Sequence, residues 1–226
     1  MAPRELLAET LTPDGEVLTL TLEGGEHVVR VRGEMLMSSR QRGSEETMAK
    51  LALADEATLV SPRVLVAGLG MGFTLRAVLD RVGPGAEVDV LELFEQVVSW
   101  NRGPLAAHAN RPLEDRRVHL RTTDVGRFLA ASENSYNAIL MDIDNGPEAF
   151  TVNSNNRLYA AAGLALLYRS LAFDGILVLW SAFRSPRFER RLREAGFVAR
   201  SVTARARPSV GKGARHTLFV AKRAGA

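Results

Sequence analysis

The chain has no cysteine, only 4 histidines, and no uninterrupted apolar run of the about 18 residues that a membrane-spanning helix requires. Each absence removes a class of chemistry. Without cysteine there is no disulfide, no thiolate metal site, no cysteine nucleophile and no thiol redox couple. His27, His108, His119 and His216 are too scattered to form a metal-ligand motif, so no metal is expected. The opening Met1-Ala2-Pro3-Arg4-Glu5 lacks the basic-then-apolar order of a secretory leader, which makes a cytoplasmic protein the expectation. Lysine is scarce as well, limited to Lys50, Lys212 and Lys222, so arginine carries most of the positive charge.

A net charge of +3 conceals an uneven distribution, because residues 184–226 hold 12 Arg or Lys against 2 Asp or Glu. Those arginines are spread over a predicted helix and the flanks of two strands, so a solvated face is the expected reading. A nucleic-acid surface is the alternative. At 226 residues the chain suits one α/β domain with a small appendage rather than two full domains.

Residues 16–22 alternate in strand fashion, Glu23-Gly24-Gly25-Glu26 supplies a turn, and 27–32 alternate again, which predicts a β-hairpin. A third short strand is expected around Met35 to Met37, followed by a helix capped by Ser44 and running through Leu51 and Leu53 toward Leu59. Residues 1–60 thus read as a small N-terminal β cap with a linking helix, and 61–226 as an α/β domain. In the second part, strands are expected at 63–67, 87–92, 117–121, 136–142 and 175–180, with helices at 73–81, 94–101, 125–131, 156–172 and 186–195 between and after them. Strands at 197–204 and 215–221 close the chain without a helix between them. The alternation requires right-handed crossovers and a mostly parallel sheet, and the final hairpin inserts an antiparallel strand. This pattern resembles the Rossmann-like fold of S-adenosylmethionine (SAM)-dependent methyltransferases.

Within it, Val64-Leu65-Val66-Ala67 empties into Gly68-Leu69-Gly70-Met71-Gly72 and then an amphipathic helix begins. Alternate glycines permit a tight turn and leave no side chain between the backbone and a ligand. The dinucleotide fingerprint would place its third glycine at Phe73, so the spacing favours SAM over NAD. Ligands of open parallel sheets lie beyond the carboxyl ends of the strands. There the chain supplies Glu92, Asp124, Asp142 and Asp144 in turn. Glu92, 20 residues past Gly72, suits the two ribose hydroxyls of a nucleoside. Asp124 suits either the exocyclic amine of adenine or the N-cap of the next helix. Asp142 and Asp144 follow the apolar strand Ala138-Ile139-Leu140-Met141, where a carboxylate can orient an amine nucleophile and take its proton. A structural role for Asp142 in the turn Asn145-Gly146-Pro147 is the alternative. Trp100 and Trp180 read as core or lip residues, with Trp180 placed to border a cavity at its strand's carboxyl end. The polar stretch 151–156 reads as a surface loop or a gate.

From about Gly33 to Trp180 the chain resembles the spermidine synthase group of aminopropyltransferases. Gly68-Leu69-Gly70-Met71-Gly72-Phe73-Thr74-Leu75-Arg76 is similar to that family's Gly-Gly-Gly-Asp-Gly-Gly-Thr-Leu-Arg, and Tyr136-Asn137-Ala138-Ile139-Leu140-Met141-Asp142 to its Tyr-Asp-x-Ile-x-x-Asp. Leu158-Tyr159 and Asp174-Gly175 match further family positions. The resemblance implies SAM or decarboxylated SAM as the sulfonium ligand, and a homodimer. It implies adenosyl contacts from Gly68, Gly70, Met71, Gly72, Glu92, Leu93, Asp124 and Val125, with Asp142 in the place of the catalytic base. Arg40, Gln41, Asp144 and Tyr159 are the candidate acceptor contacts.

The departures are as specific. Met71 stands where the family has the aspartate that meets the aminopropyl ammonium, which admits intact SAM as ligand. Asp142-Ile143-Asp144-Asn145 replaces Asp-Ser-Ser-Asp, and Ser39-Arg40-Gln41-Arg42 falls where the family places acid. An arginine near the acceptor repels putrescine. The expectation is therefore alkyl transfer, methyl or aminopropyl, from a sulfonium to a small acceptor other than putrescine. A non-catalytic binding protein on the same scaffold and a nucleic-acid methyltransferase are the alternatives.

Overall fold

The computed structural model describes residues 4–12, 15–54, 60–143, 146, 156–207 and 212–225. Its first part is a four-stranded antiparallel sheet of β1 (Arg4–Leu11), β2 (Val17–Glu23), β3 (Glu26–Val31) and β4 (Glu34–Ser38), in that order. The expected hairpin is β2–β3, where Glu23 pairs with Glu26 across Gly24 and Gly25 at φ 57° and 78°. Two consecutive positive φ values make the turn whose twist suits paired strands. Strand β1 is an addition to the sequence reading. Its register shifts between Leu6 and Ala8, so the period-2 signal breaks within the strand.

The second part is a seven-stranded sheet of β5 (Arg63–Ala67), β6 (Glu87–Glu92), β7 (Val118–Thr122), β8 (Tyr136–Met141), β9 (Leu171–Ser181), β10 (Phe197–Arg207) and β11 (Lys212–Arg223). Their order is β10-β11-β9-β8-β5-β6-β7, and β11 runs antiparallel to both its neighbours. Val64, Leu65, Val66 and Ala67 are fully buried, as are Ile139 and Leu140, because helices cover both faces of the central strands. Burial on this scale contributes about 1.5–3 kcal/mol per large apolar side chain. The chain order reverses between β5 and β8, and the crevice at that switch is where an open sheet of this kind accepts a ligand.

Helices α1 (Gly43–Ala52), α2 (Phe73–Leu79), α3 (Glu95–Arg102), α4 (Val125–Leu129), α5 (Asn156–Tyr159), α6 (Ala161–Ser170) and α7 (Pro186–Glu194) complete the fold. Helix α1 lies against α2 and the β9–β11 end of the large sheet. Leu18, Leu20 and Val29 of the small sheet share one buried cluster with Met48, Leu69 and Met71.

Two expectations are corrected. Ser44 does not cap α1: the cap position is Arg42, without a side-chain bond, and Ser44 sits inside the first turn. The helix expected over 156–172 is broken at Ala160, whose extended backbone starts α6, and it ends at Ser170, since Leu171 already pairs with Tyr136. A Cβ on Gly163 would strike the Arg157 carbonyl, so the fold there depends on glycine. Among the described residues, no helix is long and apolar enough to cross a membrane.

Candidate functional site

The carboxyl ends of β5, β6 and β8 and the inner face of the small sheet enclose a cavity of about 250 Å³. Its floor is the glycine loop. Gly68 has φ +92°, and a Cβ there would collide with the Asp142 carbonyl, so the loop can approach the end of β8 only as glycine. The Gly68 N–H donates to the Leu91 carbonyl at 2.8 Å and the Asp142 N–H to the Ala67 carbonyl at 2.8 Å, which extends the ladder past the strand ends. Asn101 braces the loop from α3, donating through Nδ2 to the Gly70 carbonyl at 2.8 Å and the Val97 carbonyl at 2.9 Å. Nothing in the sequence singles out Asn101, since a polar residue at a helix end has many other uses.

At the end of β6, Glu92 is only 7% exposed. Its carboxylate accepts the Leu69 N–H at 3.0 Å and the Phe94 N–H at 3.0 Å. Burial pushes its pKa up, and these backbone donors oppose the rise. Asp124 is the N-cap of α4, its Oδ1 accepting the Arg127 N–H at 2.8 Å, and it also lines the cavity. Leu93 and Val125 line the wall beside them.

Met71, Asp142, Glu45, Gln41 and Trp180 also line the cavity. Thr74, the first residue of the Thr-Leu-Arg tail, donates its hydroxyl to Asp142 Oδ2 at 2.6 Å, which fixes that carboxylate. Burial pushes the Asp142 pKa up, and the Thr74 bond opposes it. Glu45, on the first turn of α1, is pushed up to about 7, first by burial and then by the Asp142 charge. Among the described residues, the charged groups lining the cavity are Glu16, Arg32, Glu45, Glu92, Asp124 and Asp142. Arg32 is bound to Glu16 at 2.8 Å. Acids outnumber the arginine along the described wall, and among the described residues no lysine or arginine forms an ion pair with Glu45, Glu92 or Asp142.

The other candidates fall elsewhere. Arg40 does not line the cavity: its guanidinium reaches Glu26 at 3.4 Å and the Gly24 carbonyl at 3.1 Å. Arg42 pairs with Glu46 at 3.3 Å. The basic stretch around Gln41 thus turns its charge away, and Gln41 alone faces inward. Tyr159 is 2% exposed and packs edge-on to Phe188, away from the cavity wall. Asp144, with 145 and 151–155, lies outside the described residues. His27 and His108, far apart in sequence, meet at 2.8 Å between Nδ1 and Nε2, so the histidines are less scattered than the sequence implied. Among the described residues no three potential ligands converge on a metal position. Sequence reasoning missed Glu45 because an acid in a first helical turn is accounted for by the helix dipole.

The chain as a whole is similar to known proteins. A polyamine aminopropyltransferase of Clostridium botulinum (strain Eklund 17B / Type B) is 32% identical over 128 residues, 56% of this chain and 41% of that protein. The chain therefore spans about two fifths of the length of the curated relatives it matches. A spermidine synthase crystallised with the transition-state analogue AdoDATO superposes with a TM-score of 0.78 at 17% identity, covering 97% of this chain and 74% of that one. The 1,6-didemethyltoxoflavin-N1-methyltransferase of Burkholderia thailandensis, bound to its substrate and S-adenosylhomocysteine, superposes with a TM-score of 0.57 at 17% identity, covering 81% of this chain and 80% of that one. At such identities the structural likeness is one of fold, the mostly parallel sheet with its antiparallel strand. The family model described as spermine/spermidine synthase domain matches residues 42–196, from the start of α1 through α7, and on that match the chain belongs to the spermine/spermidine synthase family.

Proposed function

We propose that this protein transfers an aminopropyl group from decarboxylated SAM to a small amine acceptor. The observation that carries the reading is the acidic cavity wall, where Glu45, Glu92 and Asp142 have no ion-pair partner among the described residues. Decarboxylated SAM carries two positive charges and an amine acceptor adds more, whereas intact SAM brings a carboxylate that this wall repels. The curated relatives named as polyamine aminopropyltransferases support the same assignment. Arg40 and Arg42 are engaged on Glu26 and Glu46, and the arginine of the described wall, Arg32, is paired with Glu16, so putrescine falls within the proposed acceptor class.

Glu92 accepts the ribose hydroxyls and Asp124 the adenine amine in this reading, while the glycine loop supplies the floor. Asp142, held by Thr74, orients the acceptor nitrogen. That nitrogen's lone pair attacks the carbon next to the sulfonium, the carbon–sulfur bond breaks toward sulfur, and a neutral thioether nucleoside leaves. The proton shed by the nitrogen passes to a carboxylate of the wall. The arrangement requires no metal.

Met71 favours a second reading. It is 4% exposed and lines the cavity where the family aspartate would stand, so the ammonium of an aminopropyl group lacks that anchor. Intact SAM with methyl transfer is the corresponding alternative. Mass spectrometry of reactions containing one donor and a panel of diamines separates the two. The proposal expects methylthioadenosine and an aminopropylated amine from decarboxylated SAM; S-adenosylhomocysteine as the sole nucleoside product, formed from SAM, would overturn it.

A further inference from the structure

Behind Glu45 a chain of polar groups leads out of the cavity. The Ser44 hydroxyl donates to Glu45 Oε2 at 2.7 Å and lies 2.9 Å from His216 Nδ1 on β11. Ser44 is buried, His216 is half-buried, and the His216 ring rests edge-on to Trp180 with centroids 4.6 Å apart. A serine hydroxyl has one proton, so it can serve only one of these neighbours as donor while accepting from the other. That switchable geometry distinguishes the chain from a simple structural tie. Asp142, by contrast, receives the Thr74 hydroxyl and has no comparable path behind it among the described residues.

We propose that Glu45, linked through Ser44 to His216, receives the proton that the acceptor amine sheds and passes it out of the cavity. The inference rests on the reading that the cavity hosts an amine acceptor. As the new carbon–nitrogen bond forms, the acceptor nitrogen becomes a substituted ammonium and gives one proton to the Glu45 carboxylate. Glu45 then donates to Ser44 Oγ while the Ser44 proton moves to His216 Nδ1. The resulting imidazolium releases its Nε2 proton to solvent. Neutral His216 then donates from Nδ1 back to Ser44, Ser44 again donates to ionised Glu45, and exchange of the Nδ1 proton for one on Nε2 through solvent restores the accepting tautomer before the next turnover. Protons balance over the cycle, and no oxidant or second reactant enters.

The electrostatics agree with the geometry. The charges acting on Glu45 are Asp142 from the end of β8 and Glu46 on its own helix, both of which favour proton uptake. Burial lowers the His216 pKa, so the ring is neutral and ready to accept near neutral pH. Ser44 and His216 are positioning residues in this scheme, while Glu45 touches the acceptor.

Nitrogen-detected NMR titration of His216 tests the chain without reference to turnover. In the wild type the His216 ring nitrogens should show a tautomer change with its midpoint near 7 as Glu45 titrates, and Glu45→Gln should abolish it. The same replacement made on a Ser44→Ala background should leave His216 unmoved. An unchanged His216 titration in Glu45→Gln would overturn the proposal. Turnover with decarboxylated SAM and putrescine gives the second arm. His216→Ala should lower kcat about tenfold near neutral pH, with KM for the donor within about twofold, and added imidazole should restore the rate. The deficit should shrink as pH rises, because solvent hydroxide then takes the proton that the chain would otherwise carry. A His216→Ala enzyme with wild-type kcat at neutral pH, or a deficit that imidazole and high pH leave untouched, would contradict the chain. A wild-type protein that binds no sulfonium nucleoside would contradict the transfer reading instead, while the His216 titration still judges the chain.

Discussion

The sheet holds buried acid at both ends, and the two ends treat it differently. Toward the amino ends of the strands, Asp89 is 2% exposed and is saturated: it accepts the Tyr136 hydroxyl at 2.8 Å, pairs with Arg63 at 3.1 Å, and has Arg121 at 3.8 Å. At the carboxyl ends, Glu45, Glu92 and Asp142 receive only hydroxyls and backbone N–H groups, and burial pushes all three pKa values up. A buried carboxylate with its cations in place belongs to the fold. One without them is incomplete until a ligand supplies the charge.

The contrast is open to direct tests. Asp142→Asn should lower turnover about 10²–10⁴-fold while leaving thermal stability equal or higher, because it removes an unpaired buried acid. A large loss of melting temperature in that variant would place Asp142 with Asp89 as a structural residue. Asp89→Asn should do the reverse. It should cost about 2–3 kcal/mol in denaturant unfolding, a figure reduced for the partial exposure of Arg63, with turnover per folded molecule unchanged. Next in size is Met71→Asp, which restores an anchor for the aminopropyl ammonium and should raise the preference for decarboxylated SAM over SAM about tenfold in competitive binding. The smallest effect concerns pH. Glu45 titrates near 7 when folded against 4.5 when free, so the folded state holds more protons between these values and stability falls as pH rises through that window. Thermal melts should show this fall, and Glu45→Gln should flatten it.

Much of the molecule was legible in its residues because the relevant signals are local. Alternation on both sides of Gly24-Gly25 specified the hairpin, and the paired terminal strands without an intervening helix specified the antiparallel strand β11. The strand-end acids were legible because an open parallel sheet dictates where its strands finish. What sequence position does not convey is side-chain direction. Gln41 faces the cavity while its neighbours Arg40 and Arg42 turn to Glu26 and Glu46, so the repulsion of diamines expected from the basic stretch has no basis in the described structure. Nor does sequence distance report meetings across the fold. Ser44 on α1 and His216 on β11 come together only because α1 packs against the β9–β11 end of the sheet.

Calorimetric titration near pH 7 with decarboxylated SAM and with SAM, each in two buffers of different ionisation enthalpy, reaches the central claim most directly. If the wall of unpaired acids exists to receive cations, decarboxylated SAM should bind at least about tenfold more tightly than SAM and should release protons as the partly protonated carboxyls ionise around it. Equal or tighter binding of SAM, with heats independent of buffer, would contradict the account.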